Sequence, residues 1–157
     1  MKTIQMLWIT LGIVLIASAA GAQSLNTGDL AKVRSLGIVI EDLNAAALRC
    51  GITKNGLDTS LRFIIGQSKI EIAKTALITD AKDGFIHLEV IVQNNCAALV
   101  SLSVYSNVTI QSSGKFAQAA IWTQNGIRTG GNASVDTKEL VEEAAKMLVN
   151  DWNSVNK

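Results

Sequence analysis

The chain has 157 residues, of which 48% are hydrophobic and 17% are charged, and its formal net charge is +1. This length suits one domain with a single core. Because the 13 basic and 13 acidic residues after position 22 balance, we expect no long-range attraction to nucleic acid or to anionic lipid.

The first 22 residues have the pattern of a secretory signal peptide. Lys2 precedes an apolar run from Ile4 to Ala17, and Ala20-Gly21-Ala22 follows as an A-x-A cleavage site. The run is shorter than the roughly 20 apolar residues that cross a bilayer, so we favour cleavage after Ala22 over retention as a membrane anchor. No cysteine follows the site, which disfavours a bacterial lipid anchor. We therefore expect a periplasmic or secreted protein without stable membrane insertion.

Residues 23–31 are predicted to be a flexible lead-in, and residues 32–157 a single domain. The stretch Val33 to Ile40 predicts the first strand, and Ala45 to Cys50 predicts a helical turn. A helix capped by Thr53 and ending at Gly66 follows. One apolar stripe of this helix should pack on a sheet; its residues are Leu57, Leu61, Ile64 and Ile65. A second strand begins near Lys69, and the pattern does not define its end.

Alternating apolar and polar residues predict three further strands, at Phe85 to Gln93, Ala97 to Ile110 and Phe116 to Thr123. Their short connections favour an antiparallel meander. Asn125-Gly126 is typical of a type I′ hairpin turn. A short return strand at Ile127 to Gly131 would follow it.

The last element is predicted to be an amphipathic helix capped by Ser134 or Asp136, with Glu139 completing a capping box. Its apolar positions are Leu140, Val141, Ala144, Leu148, Trp152 and Val155. The predicted fold class is therefore α+β. We expect a two-layer sandwich with a mainly antiparallel sheet of four to six strands and two principal helices, the second of them C-terminal.

The only two cysteines are Cys50 and Cys96. Disulfides persist in exported proteins, so we expect these two residues to form one. Free thiols for redox or metal chemistry are the alternative, but a C-x-x-C motif is absent and His87 is the single histidine. We assign no metal site and no cofactor.

Catalytic patterns are weak in this sequence. His87 and Glu89 lie on the same face of a predicted strand and could form a functional pair, although a solvated strand pair is the favoured interpretation. Glu41 and Asp42 end the first strand, where a turn is favoured over a functional pair. We assign no catalytic residue.

The candidate binding residues are Trp122, Gln124 and Arg128, because an exposed indole beside amide groups can bind a sugar or a peptide. If the strand turns Trp122 inward, that residue belongs to the core, and this second interpretation is favoured.

Two phrases of the sequence carry a resemblance: Leu36-Gly37-Ile38-Val39-Ile40-Glu41-Asp42-Leu43 and Asp151-Trp152-Asn153-Ser154-Val155-Asn156. With the order of elements, they resemble small uncharacterised exported proteins of Gram-negative bacteria. The layout is also similar to domains of envelope assembly factors, such as the amino-terminal domain of the Tol-system periplasmic protein. The resemblance extends from Ala31 to Asn156, implies a role in the cell envelope and brings no catalytic motif.

Two functions are compatible with these patterns. The first is a non-enzymatic exported module that binds a protein or another envelope component through strand edges and the segment around Trp122. The alternative is a small-ligand carrier or an enzyme that uses His87 with Glu89, or Glu41 with Asp42.

Overall fold

The structure is a computed structural model that describes residues 27–76, 82–109, 112–129 and 131–157. The predicted signal peptide, the predicted cleavage site after Ala22 and residues 23–26 of the predicted lead-in lie outside the described residues. The strands are β1 (Ser35–Ile40), β2 (Glu71–Ile72), β3 (Asp83–Val92), β4 (Ala98–Thr109) and β5 (Phe116–Arg128). The helices are a 3₁₀ helix (Thr27–Lys32), α1 (Ala45–Arg49), α2 (Lys54–Ile65) and α3 (Ala133–Val155).

The strands form one sheet in the order β2-β1-β3-β4-β5. The predicted α+β class, the number of strands and the antiparallel meander of β3, β4 and β5 are confirmed. The sheet as a whole is mixed, because β1 pairs in parallel with both β2 and β3. Parallel neighbours need long crossovers, and α1 with α2 supplies the crossover between β1 and β2.

The helices pack on one face of the sheet and enclose the core. The apolar stripe predicted for α2 is buried, and Thr53 caps this helix by accepting a hydrogen bond from the Gly56 amide at 3.2 Å. The alternation predicted for β3 is also present. Its core-facing residues, all buried, are Ile86, Leu88, Val90 and Val92.

The described part of the lead-in joins this core. Leu30 of the 3₁₀ helix is buried completely, and the Trp152 indole donates a hydrogen bond of 2.9 Å to the carbonyl oxygen of Val33. The start of the domain is therefore held against the end of α3.

The hairpin predicted at Asn125-Gly126 is wrong. Strand β5 runs straight through these residues, with Asn125 opposite Ser101 and Gly126 opposite Val100, so the separate return strand at Ile127 is wrong too. A Cβ atom at position 126 would lie 2.8 Å from a methyl group of Leu140. This glycine therefore serves the close approach of α3 to the sheet and not a turn.

The cap predicted for α3 is also wrong. Asn132 is the N-cap and accepts a hydrogen bond from the Val135 amide at 3.4 Å. The hydroxyl of Ser134 donates instead to the carbonyl oxygen of Gly51 at 3.0 Å. Asparagine is as good an N-cap as serine or aspartate, so residue type alone does not favour Ser134 or Asp136 over Asn132.

Cys50 and Cys96 form a disulfide across a sequence separation of 46 residues. Cys50 follows α1, and Cys96 lies in the turn between β3 and β4. The bond therefore ties the entrance of α2 to one end of the sheet.

Candidate binding surface

The side of the sheet opposite the helices is called the open face. Successive side chains of a strand point to opposite sides, so the residues between the core positions of β3, β4 and β5 form this face. They include Phe85, His87, Glu89, Ile91, Leu99, Ser101, Ser103, Tyr105, Thr123, Asn125 and Ile127.

Three apolar side chains form a continuous row across the open face, near the end that carries the disulfide. Ile91 lies opposite Leu99, and Leu99 lies opposite Ile127. Side chains in such positions are in contact distance of one another. The three residues are 44%, 36% and 70% exposed, respectively. These residues form the apolar row, Ile91-Leu99-Ile127, of the open face.

A second group of open-face side chains surrounds His87. Its Nε2 atom lies 2.7 Å from Oε1 of Glu41, and its ring meets Tyr105 edge-on with centroids 5.9 Å apart. The ring of Phe85 stacks on that of Tyr105, with the two centroids 5.2 Å apart. The cluster is a polar and aromatic patch that Glu89 and Ser101 separate from the apolar row.

The partner of His87 differs from the one expected. The structure places Glu41, rather than Glu89, against His87, because β1 and β3 are neighbours and Val39 lies opposite His87. Two residues after Val39, Glu41 therefore comes within reach on the same face. Asp42 points away from this group and forms an ion pair with Lys54 at 3.1 Å.

The His87 cluster lacks the geometry of a nucleophile and its base. Ser103 lies directly opposite His87, but its hydroxyl is only 3.0 Å from the hydroxyl of Thr123 and its side chain is buried. Nucleophilic catalysis needs the hydroxyl to bond with the base. Within the described ranges, no group of three or more His, Cys, Asp or Glu residues could hold a metal ion.

The predicted binding residues lie on the helix side of β5. Trp122 is 2% exposed, and its indole donates a hydrogen bond of 2.8 Å to Asp151 of α3. The structure thus places Trp122 in the core, which is the interpretation that the sequence favoured. Arg128 pairs with Glu143 at 3.3 Å. Binding by Gln124 and Arg128 stays a prediction.

A cavity of about 470 Å³ lies between the 3₁₀ helix, the last residues of β4 and the first residues of β5. Its lining includes Phe116, Ile121 and the ion pair of Asp29 and Lys32. The volume is within the range of small-molecule sites. No sequence pattern pointed to this cavity, because its walls come from distant segments.

The architecture is that of a disulfide-linked α+β domain. Among the described residues, the helices cover one face of the sheet; on the opposite face Thr75 and Ala76 pack over Gly37 of β1, and no helix covers β3, β4 and β5. None of the described helices is long and apolar enough to span a membrane. Neither the protein-family models nor the curated proteins include a match to the chain.

Several solved structures are similar to this chain. A PelC dodecamer from Paraburkholderia phytofirmans is 14% identical with a TM-score of 0.43, over 75% of this chain and 88% of that one. A minor lipoprotein from Acinetobacter baumannii is 11% identical with a TM-score of 0.34, over 77% and 91%. A protein from Caulobacter crescentus is 12% identical with a TM-score of 0.30, over 83% and 91%. With values this low, we carry over no property of these proteins.

Proposed function

We propose that the protein is an exported, non-enzymatic module that binds another protein of the cell envelope through the open face of its sheet. The observation that carries this proposal is the exposed apolar row Ile91-Leu99-Ile127. Apolar side chains that are contiguous on a surface mark interaction sites, whereas singly scattered ones do not. The row crosses three strands in register, so a flat partner surface can cover it at once.

The charges around the row indicate the chemistry of the partner. The charged strand residues on the open face are acidic, among them Glu89 beside the row, and Glu41 follows β1 on the same face. Complementary charge favours the correct partner and its orientation. The partner we propose therefore presents apolar side chains flanked by lysine or arginine.

The export of this module rests on two observations. The signal peptide pattern directs the chain out of the cytoplasm, and the bond between Cys50 and Cys96 is of the kind that persists outside it. Periplasmic and secreted locations are both compatible with these observations.

Photo-cross-linking in the cells that export the protein tests the binding face. A photoreactive amino acid at Leu99 should yield a discrete adduct with a second protein, and the same group at Phe63, which is 65% exposed on α2, should not. Leu99→Lys should abolish the adduct formed from a probe at Ile91. Equal adducts from positions 99 and 63, or none from position 99, would rule the open face out.

A small-ligand carrier is the second candidate function, and the 470 Å³ cavity favours it. A ligand that fills this cavity would stabilise the folded chain and raise its melting temperature. A thermal-shift panel of metabolites and glycans, repeated with Ile121→Trp to fill the cavity, would show a shift in the parent protein alone. A panel without any shift would eliminate this candidate.

A further inference from the structure

Strand β5 is the edge of the sheet that is most open to pairing. Within the part of the chain that the structure describes, β4 is its only strand neighbour. Residues 116–127 contain no charged residue and no proline. Proteins usually protect a long edge with those residue types, because its free main-chain groups can pair with another strand.

Both ends of β5 present an apolar side chain on the open face. Phe116 lies opposite Thr109 and is 72% exposed, and Ile127 lies opposite Leu99 and is 70% exposed. They are the two most exposed large hydrophobic residues among those described. Each end of the edge thus carries a largely exposed apolar side chain, and Phe116 also borders the 470 Å³ cavity.

The pairing of β5 with β4 contains one irregularity, which changes the residues of β5 that point to the open face. The register with β4 shifts between Val104 and Tyr105, so Ile121 has no partner of its own there. This extra residue is a β-bulge. Because of it, even-numbered residues before the bulge and odd-numbered residues after it share the open face.

From these observations we propose that two copies of the chain associate through β5, in antiparallel pairing, with the two-fold axis between Ile121 and Trp122. Phe116 of each copy then lies beside Ile127 of the other. The next open-face pairs are Gln118 with Asn125 and Ala120 with Thr123. Every pair joins residues of the same face, as an antiparallel ladder requires, and the bulges fall at the axis.

The occupant is a second copy because the edge complements itself. A two-fold interface uses the same patch on both subunits, and this register matches apolar with apolar and amide with amide. The paired stretch of residues 116–127 contains no charge. The next pair at each end sets Arg128 opposite Lys115 of the other copy, and Glu143 neutralises this arginine at 3.3 Å. On the helix side, Ala117 falls opposite Gly126, which leaves room for the helices.

Sedimentation equilibrium of the purified protein alone tests this proposal. The parent protein should show twice the mass of one chain, and Phe116→Lys and Ile127→Lys should each weaken the dimer at least tenfold. Phe63→Lys, a similarly exposed substitution on α2, is the matched control and should leave the dimer intact. The circular dichroism spectrum verifies that each variant is folded.

Cysteine cross-linking defines the register. An oxidised mixture of Gln118→Cys and Asn125→Cys chains should form a mixed dimer, whereas neither variant should cross-link efficiently by itself. A monomer at all concentrations, or a dimer that is indifferent to both lysine substitutions, would overturn the proposal. Since no partner protein is present, these outcomes are independent of the function proposed for the open face.

Discussion

Gly37 and Gly126 are both glycines because another segment comes close, but the neighbouring atoms differ. A Cβ atom at Gly37 would lie 2.4 Å from Cα of Ala76 and 2.7 Å from the carbonyl oxygen of Thr75. At Gly126 it would meet the end of the Leu140 side chain at 2.8 Å. A main-chain obstacle cannot move aside, whereas a leucine side chain can change its rotamer.

We therefore expect Gly37→Ala to destabilise the protein more than Gly126→Ala. Overpacking costs about 1 to 3 kcal/mol, and Gly37→Ala should reach the upper part of this range. Urea denaturation of both variants measures the difference in unfolding free energy. Equal losses would show that the segment over Gly37 is not held as closely as the structure has it.

At the scale of elements, α3 provides a direct test of its N-cap. Asn132→Ala should lower the free energy of unfolding by about 1 kcal/mol, because the Val135 amide loses its acceptor. Asp136→Ala should cost less, since this carboxylate only interacts with the helix dipole from within the first turn. A larger loss for Asp136→Ala would place the cap where the sequence pattern had it.

The elements show which kinds of information the sequence contains. Local periodicity correctly predicted α2, β3 and β4, because the alternation of buried and exposed residues is a property of each element alone. The pairing of β1 with β3 is not local, so the contact between Glu41 and His87 could not be predicted. Asn125-Gly126 misled the prediction because glycine suits a turn and a tight helix contact equally well.

The same limit applies to the candidate surface. The alternation placed Ile91 on the polar side of β3, but only the register of β3, β4 and β5 shows that Leu99 and Ile127 continue it into a row. The exposure of an edge likewise depends on strand order, which no single segment specifies. The sequence therefore predicted binding at Trp122, Gln124 and Arg128, which lie on the helix side of β5, and not at the apolar row.

At the scale of the whole molecule, the disulfide should be a large contribution to stability that one chemical change can remove. Closing a loop of this length stabilises the folded state by about 3 to 4 kcal/mol in the chain-entropy model. We expect the double variant Cys50→Ser, Cys96→Ser to lose about that much in urea denaturation. A dithiol reductant should change the parent protein in the same way and leave the double variant unaffected.

Substitutions on the open face should weaken partner binding while leaving the free energy of unfolding nearly unchanged. Leu99 and Ile127 are exposed, so Leu99→Lys and Ile127→Lys should change the free energy of unfolding by no more than about 0.5 kcal/mol. Burial of such side chains at the centre of an interface is worth at least about 1 to 2 kcal/mol each, so partner binding should weaken about tenfold or more. Titration with the partner recovered by cross-linking measures this loss, and Phe63→Lys provides the control.

Because only Ile127 also takes part in the proposed dimer, Leu99→Lys should weaken partner binding while the dimer persists. A Leu99→Lys protein that binds as tightly as its parent would show that the apolar row is an ordinary stretch of surface.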